Sequence, residues 1–194
     1  ELVYYYLLGV AQYQKHDNEE ALATFRKGAT QINKDSNAGL VSDLYAIMGD
    51  LLHEKNDDAA AFACYDSCLI WKADNYLCMN NYAYYLAVKG QDLERAEQMS
   101  YKTVQNDSTN STYLDTYSWV LFQEGRYAEA KAYIDKAIAN DSAYNNIAKE
   151  HAGDIYAMNG DINRAVLLWT MAAENDKNNA LLQKKIKLKR YIKE

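Results

Sequence analysis

The sequence predicts an all-α protein in which antiparallel helix pairs follow one another in a right-handed αα superhelix, a solenoid. Three observations favour this fold class. The 194 residues include no proline, a residue that helix interiors exclude and that turns often recruit. Apolar residues make up 49% of the chain, which is enough for a buried core. Small residues also recur at intervals of 34 to 40 residues, as in stacked repeats of two helices.

The small residues mark where two helices of a pair approach each other. One of them opens the second helix of each predicted pair, at Ala21, Ala61, Ala96, Ala130 and Ala165. Another lies twelve or thirteen residues earlier, at Gly9, Gly49, Ala83, Ser118 and Gly153. Large apolar residues on the second helices fill the space between them, namely Phe25, Tyr65, Ile134 and Trp169. This register predicts five helix pairs.

In chain order, the predicted repeats span 2–35, 42–75, 76–110, 111–144 and 146–179. Six extra residues around "SNAGLV" separate the first repeat from the second. Gly90, Gly125 and Gly160 lie between the helices of the last three repeats, where a left-handed cap residue is needed. Aspartates at 17, 57 and 161 follow the same turn in the first, second and fifth repeats, and we expect them to cap the second helix.

Residues 180–194 follow the last repeat and are strongly basic, with six of the chain's 21 Lys and Arg residues. The apolar spacing of "ALLQKKIKLKRYI" predicts a capping helix that covers the open end of the core. A basic amphipathic helix lying on a membrane surface is the alternative.

The period and the pattern resemble the tetratricopeptide repeat, and the resemblance covers almost the whole chain. The fourth repeat, "STYLDTYSWVLFQEGRYAEAKAYIDKAIANDS", carries the pattern most completely. More loosely, "NNYAYYLA", "YLDTYSWVLFQEGRY" and "EHAGDIYAMNG" are similar in sequence and order to the C-terminal repeats of bacterial cell-envelope proteins, many of them lipoproteins. That resemblance implies an envelope or periplasmic scaffold, although a cytoplasmic location stays open. We expect the chain to be part of a longer protein, whose membrane contact would come only through a lipid anchor elsewhere.

In the tetratricopeptide repeat fold, the first helix of each pair lines a concave groove. Asp115, Trp119 and Phe122 stand at i, i+4 and i+7, so they share one helix face that the core pattern does not use. The same register applied to every repeat gives the predicted groove residues Tyr6, Tyr13, Asp50, His53, Asn80, Asn81, Tyr84, Asp115, Trp119, Phe122, Glu150 and Asp154. The Asn81 amide would hold a peptide backbone.

The predicted groove is acidic and aromatic, with no Lys or Arg at these positions. Family members that grip a C-terminal carboxylate use cations along the groove, so we expect a different ligand here. The predicted partner is a protein or peptide segment that is basic or aromatic-apolar. The alternative is that the rings pack only against neighbouring helices.

Composition argues against other functions. A net charge of −6 argues against nucleic acid as a partner. His16, His53 and His151 lie in separate repeats, and Cys64, Cys68 and Cys78 show no metal-ligand spacing, so we expect no metal, no cofactor and buried, structural cysteines. No nucleophile with an adjacent base is evident, which predicts a protein that is not an enzyme.

The sequence therefore predicts a non-catalytic scaffold or adaptor for protein–protein interaction. A structural spacer and a self-associating scaffold are the alternatives, and the sequence leaves the oligomeric state and the partner open.

Overall fold

A computed structural model of the protein describes residues 1–140 and 145–193. Within these residues there are helices and no strand. The helices are α1 (Leu2–Gln14), α2 (Asn18–Ala29), α3 (Ala38–Glu54), α4 (Asp58–Trp71), α5 (Tyr76–Lys89), α6 (Leu93–Asn106), α7 (Ser111–Gln123), α8 (Tyr127–Asn140), α9 (Asn146–Met158), α10 (Ile162–Ala173) and α11 (Ala180–Leu188). The predicted all-α fold of successive helices is confirmed. The last residues of the predicted fourth repeat, 141–144, and the last residue of the predicted cap, 194, lie outside the described residues.

The chain divides into two compact units, and the boundary falls within α5. Unit 1 is Glu1–Tyr82 and contains the packed pairs α1/α2 and α3/α4. Unit 2 is Ala83–Glu194 and contains the packed pairs α7/α8 and α9/α10. In unit 2, α6 packs on α7, and α11 packs on α10.

Glycine allows the close approach within both pairs of unit 1, as predicted. A Cβ atom added to Gly9 would lie 2.5 Å from the Phe25 ring, and one added to Gly49 would lie 2.5 Å from the Tyr65 ring. Phe25 and Tyr65 are both fully buried. Because a Cβ atom never approaches a ring so closely, each glycine is needed for its aromatic partner to fill the space between the two helices.

The first helix of each pair ends at a residue with positive φ. Gly90, Gly125 and Gly160 have φ of +62°, +78° and +86°, which confirms the predicted turns. In the first two pairs the same place is taken by His16 and Asn56, with φ of 63° and 60°. Positive φ at this turn is therefore common to the five repeats, whereas glycine occupies the position only in the third, fourth and fifth.

Aspartate caps the second helix in two of the three predicted places. The Asp57 carboxylate accepts a hydrogen bond from the Ala60 N–H at 3.2 Å, and the Asp161 carboxylate accepts one from the Arg164 N–H at 3.1 Å. Asp17 stands at the N-cap of α2, but its side chain forms no capping bond.

Asparagine caps α3, α5, α7, α9 and α11, a series of caps that was not predicted from the sequence. Each cap side chain accepts a hydrogen bond from the N–H three residues later, at 2.9–3.1 Å. The capping residues are Asn37, Asn75, Asn110, Asn145 and Asn179. Their regular spacing places α11 in register with α3, α5, α7 and α9, so α11 begins as the first helix of a further repeat would begin.

Two segments differ from the prediction. The residues of "SNAGLV" do not form a separate linker, because Asn37 caps α3 and the helix begins at Ala38. The predicted helix over 180–194 is too long, because α11 ends at Leu188. Lys189 follows with a left-handed φ of 51°, and residues 190–193 continue without helical structure.

Candidate functional site

Six of the predicted groove residues lie in unit 2, on three helices. We call this set, Tyr84, Asp115, Trp119, Phe122, Glu150 and Asp154, the acidic aromatic site. Tyr84 comes from α5, the next three residues from α7, and the two last acids from α9. α11 completes the site with a residue that the prediction did not include, Lys185.

Stacked rings form the floor of the site. The Trp119 ring stacks on Phe122 at 4.8 Å between centroids and on His151 at 4.0 Å, with interplanar angles of 8° and 16°. The Tyr84 ring lies tilted beside His151 at 5.8 Å. These contacts leave Trp119 8% exposed and Phe122 4% exposed. The two rings are therefore part of the core, whereas the sequence pattern predicted an open face.

His151 is held in this stack by a carboxylate. Its Nδ1 lies 3.1 Å from an Asp115 carboxylate oxygen, and the imidazole is buried. Asp115 therefore orients the ring that covers Trp119, and its own side chain is only 14% exposed.

Lys185 joins the two acids of α9. Its Nζ donates to Glu150 Oε1 at 2.8 Å and to Asp154 Oδ2 at 2.9 Å. The second oxygen of Asp154 accepts a hydrogen bond from Trp169 Nε1 at 2.9 Å. Lys185 and Asp154 are almost fully buried, while the Glu150 side chain is 23% exposed. Of the two acids of α9, Glu150 is therefore the one that remains partly accessible.

Burial controls the ionisation of this pair. Burial raises the pKa of Asp154 to about 6, although the Lys185 ammonium and the Trp169 N–H both act to lower it. Burial also acts to lower the pKa of Lys185, but Asp154 and Glu150 outweigh it and the pKa of the ammonium is raised. Lys185 therefore stays charged at neutral pH, where Asp154 is ionised beside it.

The residues after α11 return to the same site. Tyr191 meets Phe122 edge-on at 5.2 Å between centroids, and the Lys185 Nζ lies 5.6 Å from the centre of the Tyr191 ring. A cavity of about 260 Å³ remains beside this contact. It is lined by Tyr84, Val88, Trp119, Gln123, Ile147, Glu150, His151, Asp154, Lys185, Tyr191, Ile192 and Lys193.

One polar atom of the site is left without a partner. The Trp119 indole Nε1 is buried and has no hydrogen-bond acceptor among the residues that the structure describes. A buried N–H without an acceptor costs about 1–3 kcal/mol. Among the described residues, this donor without an acceptor belongs to a side chain that lines the cavity.

The remaining predicted groove residues lie in unit 1, where Asp50 accepts hydrogen bonds from two other side chains. Its carboxylate accepts hydrogen bonds from the Tyr65 hydroxyl at 2.5 Å and from the Asn81 amide at 3.1 Å. Burial raises the pKa of Asp50, against the effect of these two donors. Asn81 also accepts from the Asn80 amide at 3.3 Å, so its side chain is engaged within unit 1.

The other predicted groove residues of unit 1 are Tyr6, Tyr13 and His53. Both tyrosines are partly exposed, and burial followed by nearby carboxylates raises the pKa of each. The His53 Nδ1 lies 2.9 Å from an Asp58 carboxylate oxygen. Among its predicted groove residues, unit 1 therefore has one acid, Asp50, that accepts hydrogen bonds from Tyr65 and Asn81, and two partly exposed tyrosines.

Sequence reasoning missed Lys185 and Tyr191 as members of the site. A signal for Lys185 was present, because Asn80, Asp115, Glu150 and Lys185 follow one another at intervals of 35 residues. Lys185 therefore occupies a predicted groove position of the helix that follows the fifth repeat. No comparable signal marks Tyr191, since it lies beyond the helix.

We also searched the described part of the chain for metal-binding groups, disulfides and membrane-spanning helices. It contains no group of three or more His, Cys, Asp or Glu side chains arranged to hold a metal ion. The three cysteines are free thiols: Cys68 is buried as predicted, Cys64 is only partly buried, contrary to the prediction, and Cys78 is buried. None of the described helices is long and apolar enough to cross a membrane.

Comparison with known proteins identifies one repeat by sequence and the fold by structure. Residues 112–144, which include α7 and α8, match the family described as tetratricopeptide repeat. PilF of Pseudomonas aeruginosa is similar in structure, with a TM-score of 0.72 and 21% identity over 95% of this chain and 82% of that chain. Residues 112–144 therefore match a tetratricopeptide repeat, and the chain shares the fold of this solved structure.

Two further tetratricopeptide repeat structures share its fold. MamA from Desulfovibrio magneticus RS-1 has a TM-score of 0.71 and 14% identity over 92% of this chain and 97% of that chain. YrrB, described as having an unusual peptide-binding site, has a TM-score of 0.69 and 19% identity over 96% of this chain and 92% of that chain. No curated protein sequence matches the chain. Tetratricopeptide repeat proteins are generally non-catalytic scaffolds that bind protein or peptide partners.

Proposed function

We propose that this tetratricopeptide repeat protein is a non-catalytic adaptor, and that its acidic aromatic site binds a partner segment carrying basic and aromatic side chains. One observation supports the proposal above the others. The site already holds such side chains from the protein itself, because Lys185 pairs with Glu150 and Asp154 while Tyr191 packs on Phe122. Its chemistry therefore suits a lysine beside a tyrosine.

Charge and rim composition favour the same ligand. The walls that come from α5, α7 and α9 carry acids and rings, and the Lys residues of the cavity all belong to the C-terminal segment. Val88 and Ile147 lie on the rim and are 46% and 60% exposed. A cation would approach Glu150, and an apolar side chain would cover the rim.

The proposal is tested with two fluorescein-labelled peptides, GKYGKYG and GEYGEYG, by anisotropy titration. We expect the lysine peptide to bind and the glutamate peptide to bind at least about tenfold more weakly, because like charges face each other across the site. Ile147→Ser should weaken the lysine peptide several-fold by removing rim contact. Leu167→Ser is the matched control, since Leu167 is 51% exposed on α10 and does not line the cavity.

Other outcomes would favour other functions. Equal binding of both peptides would contradict the charge preference. If neither peptide binds and the mass in analytical ultracentrifugation rises with concentration, a self-associating scaffold is the better account. If neither peptide binds and the mass does not change with concentration, the protein is better described as a structural spacer.

A bacterial cell-envelope location is also proposed, supported by the sequence resemblance of three segments to envelope proteins. Membrane contact would come through a lipid anchor outside these residues. Fractionation of the native source cells with an antibody to this protein tests the location. Recovery in the cytosolic fraction alone would contradict it.

A further inference from the structure

The C-terminal segment is held in two different ways. α11 is anchored by Lys185, which is 3% exposed and bonded to two carboxylates, and by the fully covered Leu182. Residues 189–193 follow without helical structure and are held differently. We call these five residues the tail.

Few backbone contacts hold the tail. The Arg190 N–H donates to the Lys185 carbonyl at 3.4 Å, and in the described part of the chain residues 191–193 add no further backbone hydrogen bond. Lys189 itself adopts φ of 51°, a conformation that residues other than glycine disfavour. The tail therefore lacks the cooperative hydrogen bonding that fixes α11.

Side chains supply the remaining contact. Tyr191 meets Phe122 edge-on and lies under the Lys185 ammonium, while Ile192 and Lys193 line the cavity. Ring contacts of this kind are individually weak. The anchors of α11, Leu182 and Lys185, precede the tail, so displacement of the tail would leave them in place.

The tail also fits the site incompletely. It leaves the cavity of about 260 Å³ between itself and the residues of α5, α7 and α9. The Trp119 Nε1 stays buried without an acceptor in the part of the chain described by the structure. A segment that fills the cavity and brings a carbonyl oxygen to this N–H would make a hydrogen bond that the tail does not make.

We infer that the tail is an exchangeable internal occupant of the acidic aromatic site. The partner that replaces it is a peptide segment with an aromatic side chain in the place of Tyr191, a Lys or Arg next to Glu150, and a carbonyl that accepts from Trp119 Nε1. This inference rests on the proposed function and adds competition between tail and partner. The apparent affinity of the partner is then reduced by the fraction of molecules whose tail is bound.

The test uses the tail's own sequence as the probe. A fluorescein-labelled peptide KLKRYIK, residues 187–193, is titrated by anisotropy into the wild-type protein and the Tyr191→Ala variant. We expect Tyr191→Ala to bind at least about tenfold more tightly, because its tail no longer competes. Ile192→Ser is a second variant with the same expected direction, and unchanged circular dichroism shows that both variants fold.

Tyr101→Ala serves as the matched control. Tyr101 is 43% exposed on α6, and it does not line the cavity. This variant should bind the peptide as the wild type does. The peptide KLKRAIK, which lacks the aromatic ring, should lose most of its affinity for Tyr191→Ala.

The indole resonance of Trp119 gives a second readout. In ¹H–¹⁵N spectra of Tyr191→Ala, saturating KLKRYIK should move the Trp119 Nε1–H signal downfield, because the free peptide is not tethered to α11 and can bring to this N–H a carbonyl that the tail does not bring. The signals of Trp71 and Trp169 should stay in place. A Trp119 signal that does not move would overturn the carbonyl contact.

The outcomes separate the inference from the proposed function. Tighter binding to Tyr191→Ala than to the wild type supports both. Equal binding to the two proteins overturns the exchangeable tail and leaves the peptide site standing. Absence of binding to either protein overturns both.

Discussion

Two Gly–Asp pairs, Gly49–Asp50 in unit 1 and Gly153–Asp154 in unit 2, occupy the same position of their repeats. They differ in the second side chain that donates a hydrogen bond to the aspartate. Each glycine admits an aromatic ring from the paired helix, and each aspartate accepts a hydrogen bond from that ring fifteen residues later. The carboxylate then receives a second donor thirty-one residues after it. This donor is the neutral amide of Asn81 in unit 1 and the ammonium of Lys185 in unit 2.

The difference shows how one repeat framework supports two electrostatic environments. Asp50 is partly exposed and needs no counter-ion, so an amide suffices. Asp154 is 2% exposed, and a buried carboxylate without a cation would be costly. The residue at one position of the following helix therefore decides whether the site keeps its negative charge or neutralises it.

Removal of the second hydrogen-bond donor to Asp154 should reduce the free energy of unfolding more than any other change considered below. Lys185→Met leaves Asp154 buried without its cation, and we expect a loss of about 3–5 kcal/mol of unfolding free energy at pH 8. Asn81→Ala should cost about 1 kcal/mol, because it removes a hydrogen bond from a partly exposed acid. Urea unfolding followed by tryptophan fluorescence measures both. Lys187→Met, on the exposed side of α11, is the control, and a loss as large as that of Lys185→Met would contradict this account.

The pH dependence of stability should follow the raised pKa of Asp154. Its folded-state pKa of about 6 exceeds the ordinary value of 3.8, so between pH 4 and pH 6 the folded protein holds a proton that the unfolded chain has released. Ionisation of Asp154 therefore removes stability as the pH rises through this range. Asp154→Asn keeps an acceptor for Trp169 and does not titrate.

The measurable quantity is the stability of Asp154→Asn minus that of the wild type. We expect it to rise by about 2–3 kcal/mol between pH 4 and pH 7. Asp50→Asn should change in the same direction, since burial also raises the pKa of Asp50. A difference for Asp154→Asn that is constant with pH would show that its pKa is not raised.

Substitution of Gly49 and of Gly153 should reduce the free energy of unfolding by nearly equal amounts. Gly49→Ala and Gly153→Ala each place a Cβ atom against a buried ring, Tyr65 or Trp169, and should cost about 1–3 kcal/mol. Gly39→Ala in α3 is the control, because its new Cβ atom meets only the Asn37 side chain, at 3.3 Å. It should be neutral or slightly stabilising. Equal effects at all three positions would show that close approach to the rings is not what requires glycine.

The smallest effects should come from the turns. His16→Gly should raise the unfolding free energy by about 1 kcal/mol, because glycine adopts the positive φ without a Cβ penalty. Asn56→Gly should gain less, since asparagine tolerates this conformation. Thermal unfolding measures both gains, with Gly160→Ala expected to lose a comparable amount. A loss on His16→Gly would show that the His16 side chain has a stabilising contact.

Much of the fold could be predicted because it depends on local patterns. The spacing of small residues placed Gly9, Gly49 and Gly153 opposite large rings, and the structure confirms these contacts. The turn at Asn56 could have been recognised, because asparagine is common at positive φ, whereas His16 offers no such signal. The asparagine caps were also visible in the sequence as a regular series.

The candidate site was less predictable because it depends on the segment after the fifth repeat. Periodicity assigned Trp119 and Phe122 to one face, but only the packed structure shows that His151 and Tyr191 cover them. The end of α11 at Leu188 was missed, since the apolar pattern continues to Ile192. Because α11 ends at Leu188, Tyr191 does not continue the helix and instead contacts Phe122 at the site.

Lys185 pairs directly with the buried carboxylate of Asp154, and this pairing distinguishes the Gly153–Asp154 position from Gly49–Asp50. A double-mutant cycle of Lys185→Met and Asp154→Asn, measured by urea unfolding at pH 8, tests it most directly. We predict a coupling free energy of at least about 1 kcal/mol, with the double variant more stable than the sum of the single losses implies. Additivity within about 0.3 kcal/mol would contradict the pairing.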